Sequence, residues 1–285
     1  MRKISSTVAR RRLAREMKRL REQAGKKREE SAAAAEIAPA TLSRIEAGTH
    51  SPKYASILAL CLYYGLDLTD AQAYAELARQ SKGGPGWWHR YSDVLPKGFE
   101  ILVGLEDEAR GARSYNGEFL DGLLQTERYM RALLRSEPET PTEEQIEQRV
   151  AVRLRRQERM LRAPDAPQLW IVQSEASIRR LVGGPAVMKE QLDHLRELSL
   201  LNNVTIQVLP FISGAHPAGH GDFRLLDFSG SKDPEAAYVE YRLGNIILEE
   251  PEEVATYAKV FDLLRADALG PDATRALLGE VAAHL

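Results

Sequence analysis

The first 82 residues carry apolar side chains at the spacing of amphipathic helices. Apolar residues at steps of three to five positions predict a first helix over residues 8–24. The same pattern, with Gly or Pro at the boundaries, predicts further helices over 27–36, 39–47, 53–64 and 70–81. In the fourth helix the side chains expected to face inward are Ile57, Leu58, Cys61 and Leu62. The pattern therefore predicts a compact five-helix N-terminal domain.

A Gly- and Pro-rich stretch, KGGPG, interrupts the helical pattern at residues 82–86. We therefore predict an N-terminal domain over 1–82, a linker over 83–86 and a larger domain over 87–285. In that larger domain, helices are predicted over 126–135, 142–162, 175–182, 185–201, 251–268 and 271–284. Strands are predicted over 169–173, 204–209, 222–228, 236–242 and 245–249, with 101–105 and 112–119 as strands or irregular segments. The fold class is mainly α with a mixed α+β C-terminal part.

Charge divides the chain into a basic head and an acidic body. Residues 1–53 hold 14 Lys and Arg against 6 Asp and Glu, although the whole chain has a net charge of −2. A basic surplus confined to one domain is typical of a nucleic-acid-binding module with an attached partner or sensor domain.

Two further features favour a cytoplasmic protein. No apolar run approaches the ~20 residues of a membrane span, and the N-terminus lacks the apolar core of a signal peptide. The single cysteine, Cys61, excludes an internal disulfide framework and is expected to be a buried, inert thiol.

Residues 32–48 have the layout of a helix-turn-helix. A helix rich in small residues ends near Glu36, and a tight turn passes through Ile37 and Ala38. A second short helix begins at Pro39, whose fixed φ suits a first helical turn, and stops at Gly48. In such motifs the second helix lies in the DNA major groove.

Residues 13–66 resemble the Cro/phage-repressor type of helix-turn-helix domain, often called XRE-like. The resemblance is sharpest in TLSRIEAGTHSP, residues 41–52. Two positions depart from that family: Ala38 stands where a Ser or Thr helix cap is common, and Arg28 where Gln usually contacts a phosphate. Loss of a cap oxygen costs on the order of 1 kcal/mol, partly offset by Pro39.

The resemblance implies DNA-contacting roles for particular residues. Candidate base contacts are Pro39, Ala40, Ser43 and Arg44. Candidate phosphate contacts are Arg28, Thr41, Lys53 and Tyr54. Arg44 is the long hydrogen-bonding side chain of the first set, suited to bidentate pairing with guanine O6 and N7. The resemblance also implies a partly buried ion pair between Arg21 and Glu46.

The same residues also allow interpretations in which they do not contact DNA. The five-helix domain could bind protein instead of DNA, and Arg44 could be a solvated helix residue. The run Arg10–Arg12 is either a minor-groove or phosphate-binding arm or the solvated face of the first helix.

The rest of the chain carries a second resemblance. The stretches GWWHRYSDVLPKGFEILVGLEDEA, FLDGLLQTERYMRALL and RRQERML resemble the C-terminal domain of actinobacterial regulators that follow an XRE-like head, such as the WhiJ-like proteins. That resemblance implies a domain that senses a ligand or binds a partner. It also implies a neighbouring gene for a small acidic partner protein.

Candidate chemistry in the C-terminal part is sparse, and we expect neither catalysis nor a cofactor. Trp87–Tyr91 is expected to be an aromatic plug docked into the core, or else an exposed interface. His216, His220 and Asp222 are possible metal ligands, but a solvated Gly/Pro turn is favoured.

A basic run lies on the predicted helix over 142–162. It comprises Arg149, Arg153, Arg155, Arg156 and Arg159. These arginines could bind an acidic partner or a phosphate, or they could form ion pairs with neighbouring carboxylates. The apolar positions of the same helix are Ile146, Val150, Val152, Leu154, Met160 and Leu161.

The sequence thus predicts a sequence-specific DNA-binding transcriptional regulator, a repressor or autoregulator. One recognition helix reads only a few base pairs, so we expect a homodimer on double-stranded operator DNA. The alternative is an antitoxin-like interaction protein that mainly holds a small acidic partner.

Overall fold

The computed structural model describes residues 6–82, 86–96, 98–228, 236–242 and 244–285. By its internal contacts the chain divides between Trp87 and Trp88 into two compact units. The first unit is helical, and the second is an α+β domain with a six-stranded mixed sheet. The predicted fold class is therefore confirmed. Most of the linker predicted at 83–86 lies outside the described residues.

The N-terminal unit has helices at all five predicted places. They are α1 Ser6–Gln23, α2 Arg28–Ala34, α3 Pro39–Glu46, α4 Tyr54–Tyr63 and α5 Leu68–Gln80. Their shared core includes Leu13, Met17, Leu42, Ile57 and Leu60, each at most 1% exposed. The head is thus built around the inward faces of these short helices.

The inward face of α4 differs in one position from the prediction. Leu62 is 44% exposed, while Leu60 is completely buried. Helical periodicity from Ile57 reaches Leu60, Cys61 and Tyr64, so Leu62 falls on the solvent side. Burial raises the pKa of the Cys61 thiol to about 12, which makes this thiol unreactive at neutral pH.

The C-terminal unit alternates helices and strands. Its helices are α6 Phe99–Glu108, α7 Glu127–Leu134, α8 Glu143–Gln157, α9 Glu175–Arg179, α10 Pro185–Leu198, α11 Pro251–Asp267 and α12 Pro271–Ala283. Its strands are β1 Gly111–Asn116, β2 Gln168–Ser174, β3 Val204–Leu209, β4 Phe223–Asp227, β5 Ala236–Tyr241 and β6 Gly244–Leu248. A π-helical turn, Glu158–Arg162, extends α8, and short 3₁₀ turns span Trp87–Tyr91 and Phe211–Ser213.

The strand order in the sheet is β3-β2-β1-β4-β5-β6. Strands β1, β2 and β3 are parallel, and β4, β5 and β6 join them antiparallel. Helix α8 lies in the connection from β1 to β2. Two parallel strands need a long crossover connection, which is usually helical. One face of the sheet packs on α11 through an apolar cluster that includes Tyr115, Val172, Leu225, Phe261 and Leu264.

Three predictions for this unit are wrong. Residues 101–105 lie in helix α6 and not in a strand, because Leu102, Val103 and Leu105 are all buried and a helix buried on several sides shows no clear amphipathic period. Leu154 on α8 is 40% exposed, while Arg156 is buried in its place. The residues of Trp87–Tyr91 are half-buried or exposed, so the first alternative for this segment, a plug buried in the core, is wrong, and the exposed interface stays a prediction.

Candidate nucleic-acid interface

Helices α2 and α3 and the turn between them form the expected helix-turn-helix layout. Glu36 in the turn has a φ of 52°, a left-handed conformation that is uncommon outside glycine. Ala38 holds the N-cap position of α3 in an extended conformation, and its side chain makes no capping hydrogen bond. Pro39 follows at the first helical position. Helix α3 therefore starts without a side-chain cap.

We expect Ala38→Ser to stabilise the start of α3. The serine hydroxyl would accept a hydrogen bond from a first-turn N–H, which is worth about 0.5–2 kcal/mol. Hydrogen exchange of the α3 amides in the full chain would show slower opening. The control is Ala40→Ser inside the exposed helix, which should not slow opening; equal protection in both variants would contradict the capping argument.

Helix α3 separates a buried face from an exposed one. Leu42 and Ile45 are 0% and 2% exposed and anchor the helix in the core. The four predicted base-contacting residues are all exposed on the other side: Pro39, Ala40, Ser43 and Arg44. Three of these side chains are short, so the backbone of α3 can approach a groove closely.

Arg44 is loosely held along its own helix. Its Nε lies 3.4 Å from the Ala40 carbonyl oxygen, and its Nη2 lies 3.4 Å from Thr41 Oγ1. Both distances are at the long limit for hydrogen bonds, and the side chain is exposed. The guanidinium is therefore free to exchange these contacts for a base edge.

The four predicted phosphate contacts differ in their exposure and in the contacts that they already make. Lys53 is exposed at the N-cap of α4. Thr41 and Tyr54 are half-buried, and the Arg79 guanidinium lies 4.3 Å from the centre of the Tyr54 ring. Arg28 donates from Nε and Nη2 to Glu46 Oε2 at 3.1 and 3.0 Å, so it is already engaged in an ion pair.

Arg21 and Glu46, which the resemblance pairs, are joined by two hydrogen bonds. Arg21 Nε donates to Glu46 Oε1 at 2.6 Å, and its Nη2 donates to Oε2 at 3.2 Å. The hydrogen bond to Glu46 raises the pKa of Arg21 against the opposing effect of burial. With Arg28 added, one carboxylate links α1, α2 and α3. Sequence reasoning missed that third member, whose signal is the replacement of the family's usual Gln by Arg.

The basic run Arg10–Arg12 lies along α1. Arg12 is exposed, whereas Arg10 and Arg11 are half-buried. A Cβ on Gly48, just after α3, would lie 3.7 Å from Arg11 Cγ, which places this part of α1 beside the end of α3.

The C-terminal unit contains a network of buried ion pairs. Glu106 accepts from Arg156 Nε at 2.6 Å and from Arg224 Nη1 at 2.5 Å. Arg224 Nη2 also donates to both oxygens of Asp121 at 2.6 Å. Each of these side chains is at most 9% exposed. The network joins α6, α8, β4 and the loop after β1, and its charges cancel.

The Asp121 carboxylate accepts further hydrogen bonds from neutral groups. It accepts from Ser114 Oγ at 2.7 Å and from the Leu123 N–H at 2.9 Å. Burial alone would raise the pKa of Asp121, but the Arg224 guanidinium and these hydrogen bonds together lower it. Asp121 is therefore held as a carboxylate inside the domain.

Two side chains of the histidine loop contact β1 and the residue after it. His216 Nε2 lies 3.4 Å from Tyr115 Oη, and Asp222 Oδ1 accepts from the Gly117 N–H at 2.7 Å. His220 is exposed. Burial raises the pKa of Asp222, and the carboxylates of Asp121, Glu118 and Glu240 add to that effect while the Gly117 hydrogen bond opposes it. Among the described residues, no group of three His, Cys, Asp or Glu is placed to hold a metal ion.

No helix within the described ranges combines the length and apolar character needed to cross a membrane.

Comparisons with known proteins identify both units. No curated protein and no solved structure matches the chain. Residues 12–74 match a family described as a helix-turn-helix domain. Residues 99–280 match a family described as a domain of unknown function, DUF5753, and this match covers more than half of the chain. The chain therefore belongs to the DUF5753 family and carries a helix-turn-helix domain ahead of that region.

Proposed function

We propose that this protein is a sequence-specific DNA-binding transcriptional regulator with an XRE-like head. The observation that carries the proposal is the division of α3, which buries Leu42 and Ile45 and exposes the four candidate base contacts. It lies in residues that match a helix-turn-helix family, whose second helix enters the major groove. The basic surplus of residues 1–53 supports attraction to phosphates.

The regulator acts as a homodimer and as a repressor or autoregulator. A single exposed helix contacts a few base pairs, and two half-sites about one helical turn apart supply the remaining affinity and specificity. The C-terminal domain senses a ligand or binds a small acidic protein, without catalysis, in the manner of the WhiJ-like actinobacterial regulators that it resembles. Its cytoplasmic location follows from this role at the chromosome.

We expect Arg44→Ala to change base preference and Lys53→Ala to weaken binding to all sequences alike. Loss of a bidentate contact to guanine relaxes discrimination at one position by about 1–3 kcal/mol. Loss of a phosphate contact lowers affinity uniformly and reduces the salt slope by about 1. Selection of bound sequences from a random DNA pool, followed by salt titrations, measures both effects.

Lys53 is the better phosphate probe than Arg28 because Arg28 also supports Glu46. A variant at Arg28 would mix lost DNA contact with a disturbed ion pair. If Arg44→Ala leaves the selected DNA motif unchanged, Arg44 is not the base reader.

A second candidate function is favoured by an exposed apolar tip. Phe211 and Ile212, directly after β3, are 61% and 94% exposed. Adjacent exposed apolar side chains are typical of protein contacts. An antitoxin-like protein that mainly holds a partner would need this surface more than the DNA-binding head. Binding to promoter DNA no tighter than to scrambled DNA would favour this candidate.

A further inference from the structure

Arg153 differs in its contacts from the other four arginines of the run on α8 and the turn after it. Arg149 donates to the Val94 carbonyl oxygen and to Glu137, and Arg156 is paired with Glu106. Arg159 donates to the Asp107 carbonyl oxygen, and Arg155 is exposed. Arg153 differs because it is half-buried and, among the described residues, has no carboxylate within ion-pair distance.

The contact that Arg153 makes is to a neutral group. Its Nη1 donates to the side-chain oxygen of Gln125 at 3.3 Å. Gln125 is itself fixed, because its Nε2 donates to the Leu120 carbonyl oxygen at 2.6 Å. A guanidinium offers five N–H donors, so most of those on Arg153 have no acceptor among the described residues. Its Nε and Nη2, for which the described residues offer no hydrogen-bond acceptor, are not completely buried.

The electrostatic surroundings of Arg153 disfavour its positive charge. Burial, with a smaller effect of the neighbouring Arg156, lowers its pKa to about 10 against the opposing effect of the carboxylates of Glu137 and Glu240. Glu137 is paired with Arg149, and Glu240 is exposed beside the Tyr238 hydroxyl. A negative group placed against Arg153 would offset this unfavourable environment.

The position of Arg153 in the fold is also typical of a ligand site. Helix α8 leads from β1 into the start of β2 and therefore runs in the opposite direction to these parallel strands, so Arg153, in the C-terminal half of α8, lies one turn nearer their carboxyl ends than Arg156 does. Arg153 precedes Arg156 by one turn and contacts Gln125 in the segment that follows β1. Ligands of open parallel sheets commonly bind in the crevice at this edge.

The same edge carries polar atoms that the protein leaves unsatisfied. Asn116 and Gln173 are register partners at the ends of β1 and β2, and their side chains lie on the sheet face that carries Arg224. Asn116 Oδ1 and Gln173 Nε2 are buried, with no partner among the described residues. Buried polar atoms are normally hydrogen-bonded, so this pair indicates a water or ligand group at the same edge.

We propose that Arg153 is the anion-recognition residue of a small-molecule site at the carboxyl edge of the parallel strands, and that it binds a carboxylate or phosphate group. The inference deepens the sensing role proposed above and rests on it. It does not depend on DNA binding, because the two activities are measured in separate assays.

The test is calorimetric titration of the full chain with inorganic phosphate and with acetate, at constant ionic strength. The two probes separate a phosphate site from a carboxylate site. Arg153→Gln should weaken saturable binding of the preferred probe at least tenfold. Arg155→Gln, the same change at an exposed position two residues along, should alter it less than twofold. Absence of saturable binding of both probes, or equal losses in the two variants, would overturn the proposal.

A second measurement needs no ligand. Because Arg153 has no charged partner among the described residues, Arg153→Met should leave the melting temperature of the unliganded protein unchanged or raise it. A clear fall would mean that Arg153 supports the fold rather than a ligand, which would also overturn the proposal.

Discussion

Replacing Asp121 with Asn is expected to lower the free energy of unfolding of the C-terminal domain by about 3–5 kcal/mol. The change keeps the shape of the side chain but leaves Arg224 buried with a weakened partner. Arg224 touches both oxygens of Asp121 at 2.6 Å and is itself 9% exposed. Denaturant unfolding, followed by tryptophan fluorescence, measures the loss.

The matched control is Asp262→Asn, which breaks an exposed pair with Arg265 on α11. Exposed pairs of this kind contribute about 0–1 kcal/mol. Equal effects of the two variants would contradict the view that the buried network holds the domain together.

Acid should weaken the same domain through Asp121. Because its pKa is lowered in the folded state, the stability it contributes is present above the unfolded-state value of about 3.9. That contribution is lost as the pH falls through the lower folded-state pKa. In Asp121→Asn the acid limb of the stability profile should be flatter than in the unmodified chain.

Replacing Glu46 with Gln is expected to have an effect of similar size in the DNA-binding head, about 3–5 kcal/mol. The side chain of Glu46 is 3% exposed and serves both Arg21 and Arg28. Neutralising it leaves two guanidinium groups without their shared carboxylate. Because α1, α2 and α3 are joined at this point, the variant should lose both hydrogen-exchange protection of α3 and specific DNA binding.

Glu22→Gln is the control for this change. Glu22 also contacts Arg21, at 3.3 Å, but its side chain is 55% exposed. It should therefore retain protection of α3 and DNA affinity. If both variants lose protection equally, the burial of Glu46 is not what makes its ion pairs important.

The helical head could be predicted closely because its signals are local. Gly25, Gly48 and Gly65 end or follow helices with positive φ values, and their positions in the sequence are visible at once. Periodicity then places the inward side chains to within a residue or two, as the exchange of Leu62 for Leu60 on α4 illustrates. The pairing of Glu46 with Arg21 needed a family resemblance, because the two residues are 25 positions apart, and the second partner, Arg28, was not predicted.

The buried network could not be predicted because its members are far apart along the chain. Arg224 is 118 residues from Glu106 and 103 from Asp121. Each of these residues alone resembles a solvated surface charge. The same distance hides the difference among the arginines of α8, since only the folded domain shows that Arg156 has a buried carboxylate and Arg153 has Gln125.

The most direct measurement is a gel-shift titration of the purified protein on the DNA upstream of its own gene and on a scrambled duplex, at two salt concentrations. We predict at least a thousandfold preference for the upstream DNA, maintained at the higher salt, as specific binding normally shows a preference of about 10³ or more. Equal affinity for the two duplexes, falling in parallel as salt rises, would mean that the head grips phosphates without reading sequence. That result would contradict a sequence-specific regulator.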